Sequence, residues 1–416
     1  MDDLPPDPFE DDEPAARPTP GGMGDSPLAG MPIFGDLAKL FAQQGPIGWD
    51  AARQLALSIA TDGGEERNVD PLDRIRLEQL VRIAELHVAN ATGLPTSFGG
   101  TGVSIMAVTR GQWAATTLDA WRPLFEQLAA SLTPTAPSGA PDPADPLGFM
   151  APLMAMMGPM MLGMTAGSMI GHLSRRSFGQ YDLPVPRTPS DELMVIPANF
   201  ETFASEWSIP ADDLRLWVCA QEIAMHSVLR IPHVRAAVDG YLSAYAAGFE
   251  PDATALEDRL GKLDVDMSDP SSVSGMQSMF SDPEIVLGAI QSQAQRDMLP
   301  RFEALIAAIV GYVDHIVDAV GTSLLANITM ISEAVRRRRV EADDSDRFVE
   351  RLFGLELTQA TYDRGAAFIA GIVERVGYDG VVRLWESERT LPTPAEIDAP
   401  GLWLARIDLP EDEPDL

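Results

Sequence analysis

The stretch LRLWVCAQEIAMHSVLRIPHVR, Leu214 to Arg235, decides how this chain is read. Leu214, Trp217, Val218, Met225, Val228 and Leu229 keep helical spacing. Pro210 suits the entry, Asp212 and Asp213 complement the dipole of the first turn, and Pro232 ends the run. Within it, Gln221-Glu222-Ile223-Ala224-Met225-His226 nearly spells H-E-x-x-H. That pattern works because two histidines four residues apart reach one zinc ion from one helical face. The glutamate between them takes a proton from the zinc-bound water. With Glu222 as that glutamate, the ligand positions fall on Gln221 and Met225. His226 comes one residue late and points about 100° away. An amide and a thioether are poor partners for zinc, so by spacing and chemistry only the base position, Glu222, survives.

Working outward, the regular pattern is helical almost throughout. Trp49, Ala52, Leu55 and Ile59 mark one helix. The segment from Pro71 is a second, with Asp70 as its cap and Ile75, Leu80, Ile83 and Leu86 as its expected buried stripe. Thr109 caps a third, ending near Leu132. A short apolar helix is expected over 32–43. Leu193 to Ile196, stopped by Pro197, is the best strand candidate. ALIAAIVGYVDHIVDAVGT reads as a long buried helix. Arg336 to Arg339 could pair with phosphate or an acidic partner, but read first as a solvated helix end, where positive charge complements the dipole. Residues 1–30 and 411–416 are expected to be acidic tails and 133–146 a Pro-rich linker. Helical regions span 31–132 and 345–410, around a core at 147–344. A mobile loop is expected over 263–283.

Between Pro146 and Ser174 there is no Asp, Glu, Lys or Arg, and Gly163, Gly167 and Gly171 repeat every four residues. The length permits a membrane span. Pro152 and Pro159 interrupt the run, which favours a tightly packed buried helix pair instead.

Composition narrows the function. The 416 residues are 45% hydrophobic, enough for a real core. A net charge of -32 repels phosphate backbones and argues against nucleic acid as a partner. A single cysteine, Cys219, allows no internal disulfide and lies on an apolar helix face, where packing is its expected role. The N-terminal segment lacks a basic and then apolar leader, so the expected location is cytoplasmic. No phosphate-binding loop, dinucleotide fingerprint or G-x-S-x-G elbow occurs. His87, His172 and His233 stand isolated.

The chain resembles a known family, the zincin-like metallopeptidases, also described as hydrolases or zinc-dependent metalloproteases. Some relatives are linked by name to deazaflavin cofactor biosynthesis. The resemblance runs through GPIGWDAARQLA, the Gly/Met-rich segment leading to YDLPVP, and LMVIPANFETFASEWSIPADDLRLWV. It continues in the motif helix with IPHVR, GYVDHIVDAV with its arginine sequel, FGLEL, and LWESERTLPTPAEID. It implies a mainly α, zincin-like helical fold with one short β-sheet. It also implies a ligand set of histidines at the positions of Gln221 and Met225 and a glutamate, from an E-G-[YWH] motif, at the position of Val310. All three are non-ligands here.

Three readings stand open. In the first, the chain is an inactive family member with a binding or scaffolding role and no cofactor. Its partner would be a protein or peptide, held along the Leu193–Ile196 strand. In the second, it is a zinc hydrolase with an unconventional ligand set of Glu222, His226 and Asp314. In the third, it is membrane-associated through Pro146–Ser174.

Overall fold

The computed structural model describes residues 47–132, 150–251, 289–341 and 344–410. The expected tails, the 32–43 helix, the 133–146 linker and the 263–283 loop lie outside these residues. The fold is mainly α, as expected. In chain order the helices are α1 (Trp49–Ala60), α2 (Pro71–Thr92), α3 (Arg110–Leu132), α4 (Met150–Arg176), α5 (Pro197–Glu206), α6 (Ala211–Leu229), α7 (Pro232–Ala247), α8 (Gln293–Leu324), α9 (Ile328–Val340), α10 (Asp344–Leu352) and α11 (Gln359–Val376). Short helical turns follow to Ile407. Side chains from Ala52 to Leu404 join one hydrophobic core, which the three expected helical regions therefore share.

Helix ends follow their local chemistry. Asp70 accepts from Leu72 N–H at 2.9 Å and Pro71 occupies the first turn of α2. Thr109 and Gln112 exchange side-chain bonds to each other's backbone N–H at the start of α3. Ser292 and Gln295 do the same for α8.

Among the described residues the Gly/Met-rich segment forms one helix, α4, packed closely against another helix, α1. Pro152 falls in its first turn, where the missing N–H has no partner to lose. Gly167 and Gly171 face α1 at Ala52, Ala56 and Ile59, and Gly163 meets Ile47 just before that helix. A Cβ on Gly171 would sit 2.8 Å from the Ile59 Cβ and 2.9 Å from the Ala56 carbonyl oxygen, so the two backbones touch. Among the described residues, the helix long and apolar enough to cross a membrane is α8, and 78% of its apolar window is buried inside the fold.

Strand β2 (Glu192–Val195) matches the expected strand within a residue, and its partner is β1 (Ser104–Ala107), which sequence pattern does not reveal. The two run parallel, with Ser104 opposite Glu192 and Ala107 opposite Val195. The far edge of β2 is also occupied: Gly179 bridges Val195, and Ile196 N–H donates to the Phe178 carbonyl at 2.8 Å. Strand addition along Leu193–Ile196, the peptide-docking mode expected from the sequence, therefore has no open edge at Val195 and Ile196. A second small sheet pairs β3 (Phe249–Pro251) antiparallel with β4 (Ala289–Gln291).

The expected buried stripe of α2 is corrected as well. Leu77, Val81, Ala84 and Val88 face the core, packed largely against α6. Leu80 is partly buried, and Ile75, Ile83 and Leu86 point outward. Both faces of α2 are apolar, so periodicity alone could not choose between them.

Candidate functional site

Helix α6 is buried on almost every side, between α2, α5, α7 and α8. It carries Gln221, Glu222 and Met225 into a narrow pocket of about 60 Å³. Val310 and Asp314 reach the same pocket from α8. The motif glutamate and the three positions matched to ligands by resemblance are thus brought together. Gly311, next to Val310, lets α11 approach: a Cβ there would overlap the backbone of Gly365. That glycine is needed for helix packing whether or not a metal is present.

Glu222 is fully committed to protein. Its Oε2 accepts from the backbone N–H of Gln180 at 2.9 Å and of Tyr181 at 3.0 Å, and its Oε1 lies 3.2 Å from the Tyr181 nitrogen. Gly179 makes room, since a Cβ there would overlap the Glu222 carboxyl, and Trp113 Nε1–H pins the Gly179 carbonyl at 2.9 Å. The loop leaving α4 would otherwise bury two N–H groups without acceptors. Burial, then the Asp182 charge, push the Glu222 carboxyl well above the usual carboxylate range, against the pull of the two N–H donors.

His226 turns away from this pocket. Its Nδ1 is 3.1 Å from the Tyr181 hydroxyl, and its Nε2 faces Asp191 Oδ1 at 3.5 Å, too long for a hydrogen bond. With the Nε2 hydrogen toward the carboxylate, Nδ1 accepts from the tyrosine O–H. Burial lowers the His226 pKa, with Asp191 opposing, and burial lifts the Tyr181 phenol to about 12. Asp191 in turn accepts from the N–H groups of Phe98 and Gly99 at 2.7 and 3.3 Å.

Asp314 is taken by Arg339 in a two-pronged pair at 2.7 and 2.9 Å. Arg338 holds Asp182 at 2.9 Å and stacks over Phe178 with its guanidinium carbon 3.7 Å from the ring centroid. The arginine run is therefore not simply a solvated helix end. Arg336 and Arg337 pair with Glu333 at the surface, while Arg338 and Arg339 line the pocket. Tyr181, Asp182, Arg338 and Arg339 are the site residues that sequence reasoning missed. Their one local signal was an arginine run longer than a helix C-terminus needs.

Glu222, His226 and Asp314 do not converge, because each is engaged by a different partner. Among the described residues no group of three or more His, Cys, Asp or Glu side chains is placed to hold a metal ion. The residues at the positions that the resemblance assigns to ligands offer an amide, a thioether and an isopropyl group, and this set does not fit zinc. Cys219 is fully buried, with its thiol pushed up to about 12 by desolvation, and acts as packing.

A family model described as "Zincin-like metallopeptidase" matches residues 47–404. The chain belongs to that family. Among solved structures it is similar to a Chloroflexus aurantiacus protein described as "a putative hydrolase with a novel fold". The two are 23% identical, with a TM-score of 0.56 over 88% of this chain and 99% of the other, a likeness of fold alone. No curated protein matches the chain.

The buried carboxyl makes one expected result specific to this zincin-like chain. Between the ordinary value of 4.5 and its raised folded value, Glu222 holds more protons folded than unfolded. Its contribution to stability therefore falls as pH rises through that window. Glu222→Gln keeps the shape and an acceptor for the two N–H groups but cannot titrate. Urea unfolding across a pH series should show wild type losing stability relative to Glu222→Gln as pH rises above 4.5. Parallel curves would mean that the carboxyl titrates normally.

Proposed function

We propose that this zincin-like protein is catalytically inactive and acts by binding, with the former metal cleft kept as a pocket for a protein or peptide partner. The observation that carries the reading is Glu222. The side chain at the position of the base spends both oxygens on the backbone of Gln180 and Tyr181. Gln221, Met225 and Val310 around it offer no zinc ligand set. A hydrolase built on Glu222, His226 and Asp314 has no support in the geometry, since their partners hold them apart.

The test is elemental. Protein purified from zinc-supplemented medium should carry well under one zinc per chain, and a chelator should leave its melting temperature unchanged. About one zinc per chain, lost on Glu222→Gln or His226→Ala and accompanied by peptide cleavage, would overturn the proposal.

A further inference from the structure

Helix α2 leaves an apolar stripe in solvent. Leu72 is 59% exposed, Ile75 51%, Ile83 43% and Leu86 60%. With Gln79 these positions fall within an arc of about 80° at 100° per residue. Their spacing is symmetric: Ile75 and Ile83 lie four residues either side of Gln79, and Leu72 and Leu86 lie seven either side. Read in reverse, the stripe has the same spacing and the same residue types.

We propose that this face pairs with itself in a second copy of the chain, as an antiparallel α2–α2 contact with its two-fold axis at Gln79. Leu72 then meets the partner's Leu86, Ile75 meets the partner's Ile83, and the two Gln79 amides face each other. Such isologous matching is what a two-fold interface requires. Charge fits as well. Arg82 is 66% exposed beside the stripe, with Glu85 no nearer than 3.7 Å, and the exposed Glu78 lies on the same edge. The two-fold brings Arg82 of one copy to within about 3 Å, along the axis, of the partner's Glu78. A lipid surface would need neither the mirror spacing nor an acidic edge. A contact made by one helix face alone is expected to be weak, with a dissociation constant at about the micromolar level.

Sedimentation of the full chain over a concentration series should show a monomer–dimer equilibrium. Ile83→Glu with Leu86→Glu should weaken it at least ~30-fold while the unfolding curve stays unchanged, because both side chains are exposed. Cysteine placement reports the register, since Cys219 is fully buried and silent. Gln79→Cys should oxidise to a covalent dimer, whereas Leu72→Cys, about 21 Å from its own copy, should not. A monomer at every concentration up to about 100 μM would sink the proposal. So would equal cross-linking of the two cysteine variants. Stripe-dependent flotation with phosphatidylserine vesicles, without dimerisation, would assign the face to a lipid surface instead.

Discussion

Gly167→Leu is expected to destabilise the protein by about 3 kcal/mol or more, the upper end for overpacked sites. The reason is what the new side chain would meet. A Cβ at Gly167 lands on the Ala52 carbonyl and its flanking backbone atoms, not on a side chain that could rotate away. The contact is one of three in a row, with Gly163 against Ile47 and Gly171 against Ala56 and Ile59, so α4 cannot slide clear without losing the others. The end of α4 is also tied to the site. Asn199 holds the Ser174 and Ser177 carbonyls at 2.8 and 2.6 Å, and the next residues form the backbone that receives Glu222. Thermal unfolding should show a melting temperature lower by about 4 °C or more. Gly167→Ala is the sharper probe. Helix propensity alone would favour alanine by about 1 kcal/mol, so a net loss of stability requires the close contact with α1. A stabilised Gly167→Ala would show that α1 and α4 stand further apart.

How much of this was legible beforehand depends on whether the signal was local. Caps at Asp70 and Thr109 and the small-residue repeat of α4 are properties of a few neighbouring residues, and they lie in the structure as the sequence suggests. The motif helix and its counterpart at Val310 were found by spacing and by family resemblance, and the structure places them at one pocket. Strand β1 was invisible because four residues with every second one buried carry no weight until a partner strand is known. The outward stripe of α2 was misassigned because both of its faces are apolar. The commitment of Glu222 to Gln180 and Tyr181 spans about forty residues of sequence, and no periodicity reports such a contact. Arg338 and Arg339 differ from Arg336 and Arg337 only in the direction in which a helix turn points them.

Installing the ligand set that the resemblance implies should not yield a peptidase. Gln221→His, Met225→His and Val310→Glu together place two imidazoles and a carboxylate at the matched positions. Met225 and Val310 are 2% and 3% exposed and fill the floor of the pocket. The new carboxylate would be buried in a pocket that already holds Glu222 and Asp314, where Arg338 and Arg339 are spent on Asp182 and Asp314. Without metal the triple variant should therefore lose about 3–5 kcal/mol, the usual penalty for a buried charge lacking its partner. Zinc should recover part of that loss by binding the folded state. Peptide cleavage should still be absent, because Glu222 remains fixed to two backbone N–H groups and is not free to face a new ligand in the pocket. Unfolding with and without zinc, together with cleavage of a generic peptide library, checks each step. Zinc-dependent cleavage that disappears on Glu222→Gln would show that the carboxyl can leave Gln180 and Tyr181. The proposed inactivity would then rest on the three positions Gln221, Met225 and Val310 alone.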